Sequence, residues 1–140
     1  MRIGEVAGVN GNMVVVRFKE RVMQNEVAYV ISGKEKLKAE VIRVRGNEAD
    51  LQVFEDTTGI LVGNSVEFTG SLLSVELGPG LLGQIFDGLQ NPLPRLAEKH
   101  GFFLKRGEYM DSLDYSREWD FTPCVKPGDI IRAGDKLGEV

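Results

Sequence analysis

The chain is 140 residues long, enough for one conventional core or two small ones, and its 42% hydrophobic and 27% charged residues are the proportions of a folded globular protein. A net charge of −4 argues against a nucleic-acid partner, which would favour a concentrated basic face. No apolar run approaches the roughly 18 residues of a membrane span, and the opening MRIGEVAGV lacks the apolar core of a signal peptide, so a cytoplasmic chain without direct membrane insertion is expected.

Residues 2–9 and 12–18 read as two β-runs joined at Asn10-Gly11, a dipeptide suited to the positive φ angles of a type I′ hairpin. Alternation places Val14, Val16 and Phe18 on one face, with Met13, Val15 and Arg17 on the other. A third run covers Glu26 to Ile31. Leu37, Ala39 and Val41 then alternate until the phase slips by one to Ile42 and Val44, which marks a β-bulge. Gly46-Asn47 turns the chain into a run from Glu48 to Phe54, where Ala49, Leu51 and Val53 alternate with polar neighbours, and a last run takes in Val66 to Phe68. Five or six short strands with a bulge fit a small closed barrel better than an open sheet with exposed edges.

Two charge clusters fall within these runs. Lys34, Lys36 and Lys38 are interrupted by Glu35 and Leu37 and read as a solvated edge. Glu55 and Asp56 are adjacent, so on a strand they would point to opposite sides; turn capping is expected of them rather than paired acid/base chemistry.

The stretch SVELGPGLLGQIFDGLQNPL, Ser74 to Leu93, reads as a strand through Val75 and Leu77, a tight turn at Gly78-Pro79-Gly80, a second strand through Ile85 and Phe86, and a turn at Asn91-Pro92. Gly78, Gly80 and Gly83 spell a dinucleotide fingerprint by letter. The chemistry of that motif needs a helix opening at the third glycine, and here Gly88, Asn91 and Pro92 would end one almost at once. No Gly-Lys-Ser or Gly-Lys-Thr phosphate loop occurs. The lone Cys124 and lone His100 exclude an intrachain disulfide and a Cys/His zinc site, and nothing local supports a Cys-His nucleophile pair. No catalytic, cofactor-binding or metal-ligating residue is therefore assigned. One short helix is expected from Pro92 to Lys99, with Leu93, Leu96 and Ala97 at helical spacing and Gly101 beyond its end.

Ser74 to Leu93 resembles the linker of the catalytic A subunit of V-type and archaeal A-type rotary ATPases, and Gln52 to Gly63, QVFEDTTGILVG, resembles the barrel segment before it. Trp119-Asp120-Phe121-Thr122-Pro123 and the glycine-punctuated run from Val125 to Val140 resemble the start of that family's inserted region. The resemblance implies a mainly β chain: an N-terminal six-stranded β-barrel over 1–70, a linker with a glycine-rich turn and the short helix over 71–100, and an incomplete β-rich insert over 101–140. It also implies a protein that couples ATP hydrolysis or synthesis to proton or sodium transport, on the cytoplasmic face of a membrane. Its barrel would meet neighbouring B subunits and its insert the peripheral stalk. The phosphate loop, catalytic carboxylate and arginine-bearing interface of that family lie further along, so ATP and magnesium are expected only of the full-length parent, and this chain alone is expected to be inactive. Its stop at Val140, inside a strand pattern, suggests a fragment.

A second reading comes from the end of the chain. Gly128-Asp129 and Gly134-Asp135 repeat six positions apart, as in the half-barrels of biotinyl and lipoyl carrier domains. Neither Lys126, before Pro127, nor Lys136, after Asp135, has the setting of a modified carrier lysine. A structural β-unit is the expected role.

Overall fold

A computed structural model of the chain describes residues 2–101, 103 and 105–140. Six antiparallel strands form the first half: β1 (Arg2–Asn10), β2 (Met13–Phe18), β3 (Glu26–Ser32), β4 (Glu35–Arg45), β5 (Glu48–Val53) and β6 (Ser65–Leu72). They close into a barrel in the order β1-β2-β5-β4-β3-β6, with β6 returning to β1 where Arg2 faces Phe68. Closure removes every strand edge.

The period-two pattern supplies the interior. Val14, Val16, Val30, Leu37, Val41, Leu51 and Val66 are fully buried, and Phe68 reaches across the core to meet Phe18 edge-on at 6.0 Å between ring centres. Ile60, from the β5–β6 connection, packs onto the same cluster. Side chains fill this barrel. The expected bulge is present: the β4–β5 register shifts between Val41 and Arg43, so Ile42 is the extra residue and the inward parity changes there. Leu51→Ala is expected to cost about 2–5 kcal/mol, because the site has no exposure through which a cavity could be relieved. A reversible denaturant melt checks this; a loss under about 0.5 kcal/mol would contradict the packing.

The first hairpin differs from expectation. Asn10 pairs with Met13, so the two turn residues are Gly11 and Asn12, and the positive φ, 59°, sits on Gly11 alone. Gly33-Lys34 and Gly46-Asn47 repeat the arrangement with glycine φ values of 62° and 59°. Glycine at the first turn position, followed by a residue with negative φ, is the type II′ solution, whose twist matches that of the flanking strands.

Among the described residues, one charged group lies wholly inside. Glu26, at the start of β3, has no exposed surface; it accepts hydrogen bonds from the amides of Met23 at 2.7 Å and Gly70 at 2.8 Å, and pairs with Arg2 at 2.5 Å. Arg2 also donates to the carbonyl of Arg21. The start of β1, the start of β3 and the end of β6 are thereby joined at one mouth of the barrel.

After β6 the chain departs from the expected strands. Val75 and Leu77 are exposed and unpaired, and the only ladder contact in this stretch is a single bridge between Phe86 and Pro92. The closed barrel offers them no edge. The helix α1 (Leu93–His100) follows, with Pro92 as its N-cap, Leu96 buried and Gly101 at φ 76° ending it. Beyond it, strand structure among the described residues is limited to β7 (Thr122–Pro123) paired with β8 (Gly138–Glu139), less than the β-rich insert expected.

Candidate functional site

Residues 105–112 run back over the barrel as a strap. Arg106 donates to the carbonyl of Asp56 at 3.0 Å and to that of Thr58, and pairs with Glu35 at the β3–β4 hairpin. The Gly107 amide donates to Glu55 at 3.0 Å. Gly107 has φ 75°, and a Cβ there would stand 3.3 Å from the Lys36 backbone nitrogen, so glycine is needed for both conformation and approach. The Tyr109 hydroxyl accepts the Lys38 amide at 2.7 Å. That amide lies beyond the end of β5, which stops at Val53, so the phenol satisfies a ladder donor the barrel leaves over. Burial raises the Tyr109 phenol well above its ordinary value. Tyr29 meets Tyr109 edge-on, with Lys36 over the Tyr29 ring at 4.8 Å and Lys38 over the Tyr109 ring at 5.2 Å. Of the three lysines read as a solvated edge, Lys36 and Lys38 therefore belong to a docking surface, Lys36 also pairing with Glu67 at 2.5 Å, while Lys34 is exposed.

The adjacent carboxylates divide their work. Asp56 caps its own turn, accepting the Thr58 amide at 2.9 Å and the Thr58 hydroxyl at 2.8 Å, and these bonds hold its pKa below the ordinary carboxylate value. Glu55 instead holds the strap.

The strap also meets the linker. Asp87 accepts the amides of Leu89 and Asn91 at 2.9 and 2.8 Å and the Asn91 side-chain amide at 2.8 Å, which leaves the Asn91 oxygen to accept the Met110 amide at 3.2 Å. Gln90, at φ 63°, reaches back to both backbone groups of Glu76 at 2.7 Å. The Glu76 carboxylate in turn accepts Ser112 and Tyr115 at 2.7 and 2.8 Å. Between barrel, turn and helix lies a cleft of about 570 Å³, walled by Phe54, Leu73, Leu89 and Leu96. Arg106, Glu55, Asp56 and Asp87 on its rim are all engaged in the structural ties just described. The described residues contain no cluster suited to a metal ion.

The nucleotide fingerprint does not assemble. Gly80 and Gly83 have φ values of 93° and 80°, no helix opens at Gly83, and the loop instead receives the insert: a Cβ on Gly78 would stand 3.0 Å from Leu113, and one on Gly80 3.1 Å from Trp119. No row of helix N-terminal amides faces outward from this loop, the feature on which a dinucleotide fingerprint depends.

Residues 6–70, nearly the whole barrel, match the family model described as the beta-barrel domain of the ATP synthase alpha/beta family. Similarity continues past the barrel: the V-type ATP synthase alpha chain of Treponema denticola is 61% identical over 98% of this chain, and alpha chain 1 of Treponema pallidum is 63% identical over 96%. The chain belongs to the ATP synthase alpha/beta family. It spans about a quarter of the length of these relatives, 23% in both cases. The corresponding chain of Borreliella afzelii is 59% identical over 98% of this one. Because these matches cover nearly the whole chain, the strap contacts fall inside the region this chain shares with V-type alpha chains.

In this alpha/beta family chain the outer surface of the linker is unusually apolar. Leu77 and Leu82 are 81% and 96% exposed, with Leu72, Val75 and Ile85 exposed nearby. The two Gly-Asp repeats form equivalent turns: Asp129 accepts the Lys126 amide at 2.8 Å and Asp135 the Arg132 amide at 2.7 Å, with Gly128 and Gly134 at φ 101° and 95°. Lys126 lies inside the first turn and Lys136 pairs with Glu139, so neither stands at a free hairpin tip.

Glu76 gives this linker an acid sensitivity. Its hydrogen bonds from Ser112, then Tyr115, lower its pKa below the ordinary 4.5. The stabilisation is present in full above that value and is lost as pH falls through the lower folded one. Trp119 packs near Gly80, so its fluorescence is expected to change on acidification before the far-UV circular dichroism of the barrel does. Coincident transitions would mean that linker, insert and barrel open as one unit.

Proposed function

We propose that this chain is the assembly portion of the ATP-synthesising or ATP-hydrolysing alpha chain, which is the catalytic A-type component of a V-type rotary complex that moves protons or sodium ions. The observation that carries the reading is the match to V-type alpha chains across barrel, linker and insert together. The barrel meets the neighbouring B subunits, the insert meets the peripheral stalk, and the complex holds the chain at the cytoplasmic face of a membrane. No helix among the described residues is long and apolar enough to cross a membrane, which agrees with attachment through other components of the complex. The exposed apolar linker supports further contacts within the complex.

Catalysis belongs to the longer alpha chain and not to these residues, whose filled barrel and helix-free glycine loop offer no nucleotide cradle. Titration of the chain with Mg-ATP is expected to give no saturable heat, while mixing with B subunits is expected to give a heavier species in sedimentation. A micromolar dissociation constant for Mg-ATP, about −8 kcal/mol, would overturn the non-catalytic assignment, and a chain that sediments alone beside B subunits would overturn the assembly role.

A further inference from the structure

His100 is the one histidine of the chain and closes the last turn of α1. Its side chain is only 8% exposed, and its Nε2 has no hydrogen-bond partner among the described residues. Glu108 of the strap stands 3.3 Å from that nitrogen, close enough to pair with an imidazolium, without the alignment of a hydrogen bond. Nε2 is therefore a buried polar atom left unsatisfied beside a carboxylate.

We propose that His100 is a protonation-operated latch between α1 and the strap. When the ring takes a proton, Nε2 becomes a charge-assisted donor to Glu108, and the new charge lies at a helix C-terminus, where the carbonyl ends favour cations. The charged surroundings are few. Lys99, from α1, also reaches Glu108 at 3.3 Å, but it is 55% exposed and its contact is screened by solvent. From the strap side Glu108 faces the ring, and Lys105 is a further positive charge acting on that carboxylate. Glu55 and Asp56 of the barrel line the adjoining cleft and are already held by Gly107 and Thr58. The inward-facing partner for Glu108 is therefore the histidine. The same strap carries Arg106 and Tyr109 onto the barrel, so closing the latch ties helix, strap and barrel together. The latch is independent of the assembly role proposed above.

The test uses the full chain. The single imidazole signal is followed by NMR from about pH 8 to about pH 5.5, and the amides of Gly107, Glu108 and Tyr109 are expected to shift with the same midpoint. Hydrogen exchange over 93–101 and 105–110, corrected for intrinsic rates, is expected to slow about threefold at the lower pH, the scale of a partly exposed ion pair. His100→Gln and Glu108→Gln should each flatten that pH profile. Strap amides indifferent to the histidine titration in the unmodified chain, or a pH dependence surviving in His100→Gln, would overturn the latch.

Discussion

Replacing Glu26 with alanine is expected to destabilise the barrel by about 3–5 kcal/mol, the scale for breaking a buried ion pair. The loss is not of the Arg2 contact alone. The amides of Met23 and Gly70 each lose their acceptor, and no exposed path brings water to a carboxylate site with zero accessible surface. Domains commonly hold about 5–15 kcal/mol in reserve, so the variant should melt at much lower denaturant. Glu26→Gln keeps one acceptor oxygen and should cost less; Arg2→Met keeps both amide bonds but strands the charge, and should cost about as much as alanine. Denaturant melts of the three variants check the ordering. An alanine cost below about 1 kcal/mol would show that water replaces the carboxylate.

A second large effect is expected at Gly4. It is buried on β1 between β2 and β6, and a Cβ there would stand 2.6 Å from Val16 Cγ1, 2.9 Å from the Arg17 carbonyl oxygen and 2.9 Å from the Phe68 ring. Val16 and Phe68 are both core residues and the carbonyl belongs to the neighbouring ladder, so none is a flexible side-chain end that can swing aside. Gly4→Ala is expected to cost about 3 kcal/mol and Gly4→Val more, at the upper end of overpacking effects. Pairing Gly4→Ala with Val16→Ala relieves one collision and leaves the carbonyl one, so a double-mutant cycle should recover part of the loss. Full additivity would mean that β1 moves outward as a whole.

The barrel was legible because its cause is local. The alternation of Ala49, Leu51 and Val53 and the phase slip at Ile42 are written into consecutive residues, and both appear where they were expected. The hairpin type was misread at Asn10-Gly11 because pairing register, not the favoured dipeptide, decides which residues occupy the turn. Val75 and Leu77 alternate like a strand, yet a closed sheet leaves no edge for them, a condition set by residues far away. The strap was missed for the same reason. Arg106 meets Glu35 and Tyr109 meets Lys38 across 71 positions, and a lone arginine or tyrosine in a loop carries no periodic mark. Glu26 gave one signal that could have been used, an acidic residue opening an otherwise apolar run.

The pairing of β1 with β6 has a mechanical consequence. Arg2 lies opposite Phe68 on antiparallel neighbours, so the chain enters and leaves the barrel side by side at one mouth. A module whose two ends adjoin can be permuted or spliced into another polypeptide with little distortion of its interior. The same layout sets its response to tension. Pulling the ends apart loads the β1–β6 rungs one after another, as a zipper opens, instead of all at once in shear. The Arg2–Glu26–Gly70 cluster sits where that peeling would begin, and so acts as its clasp.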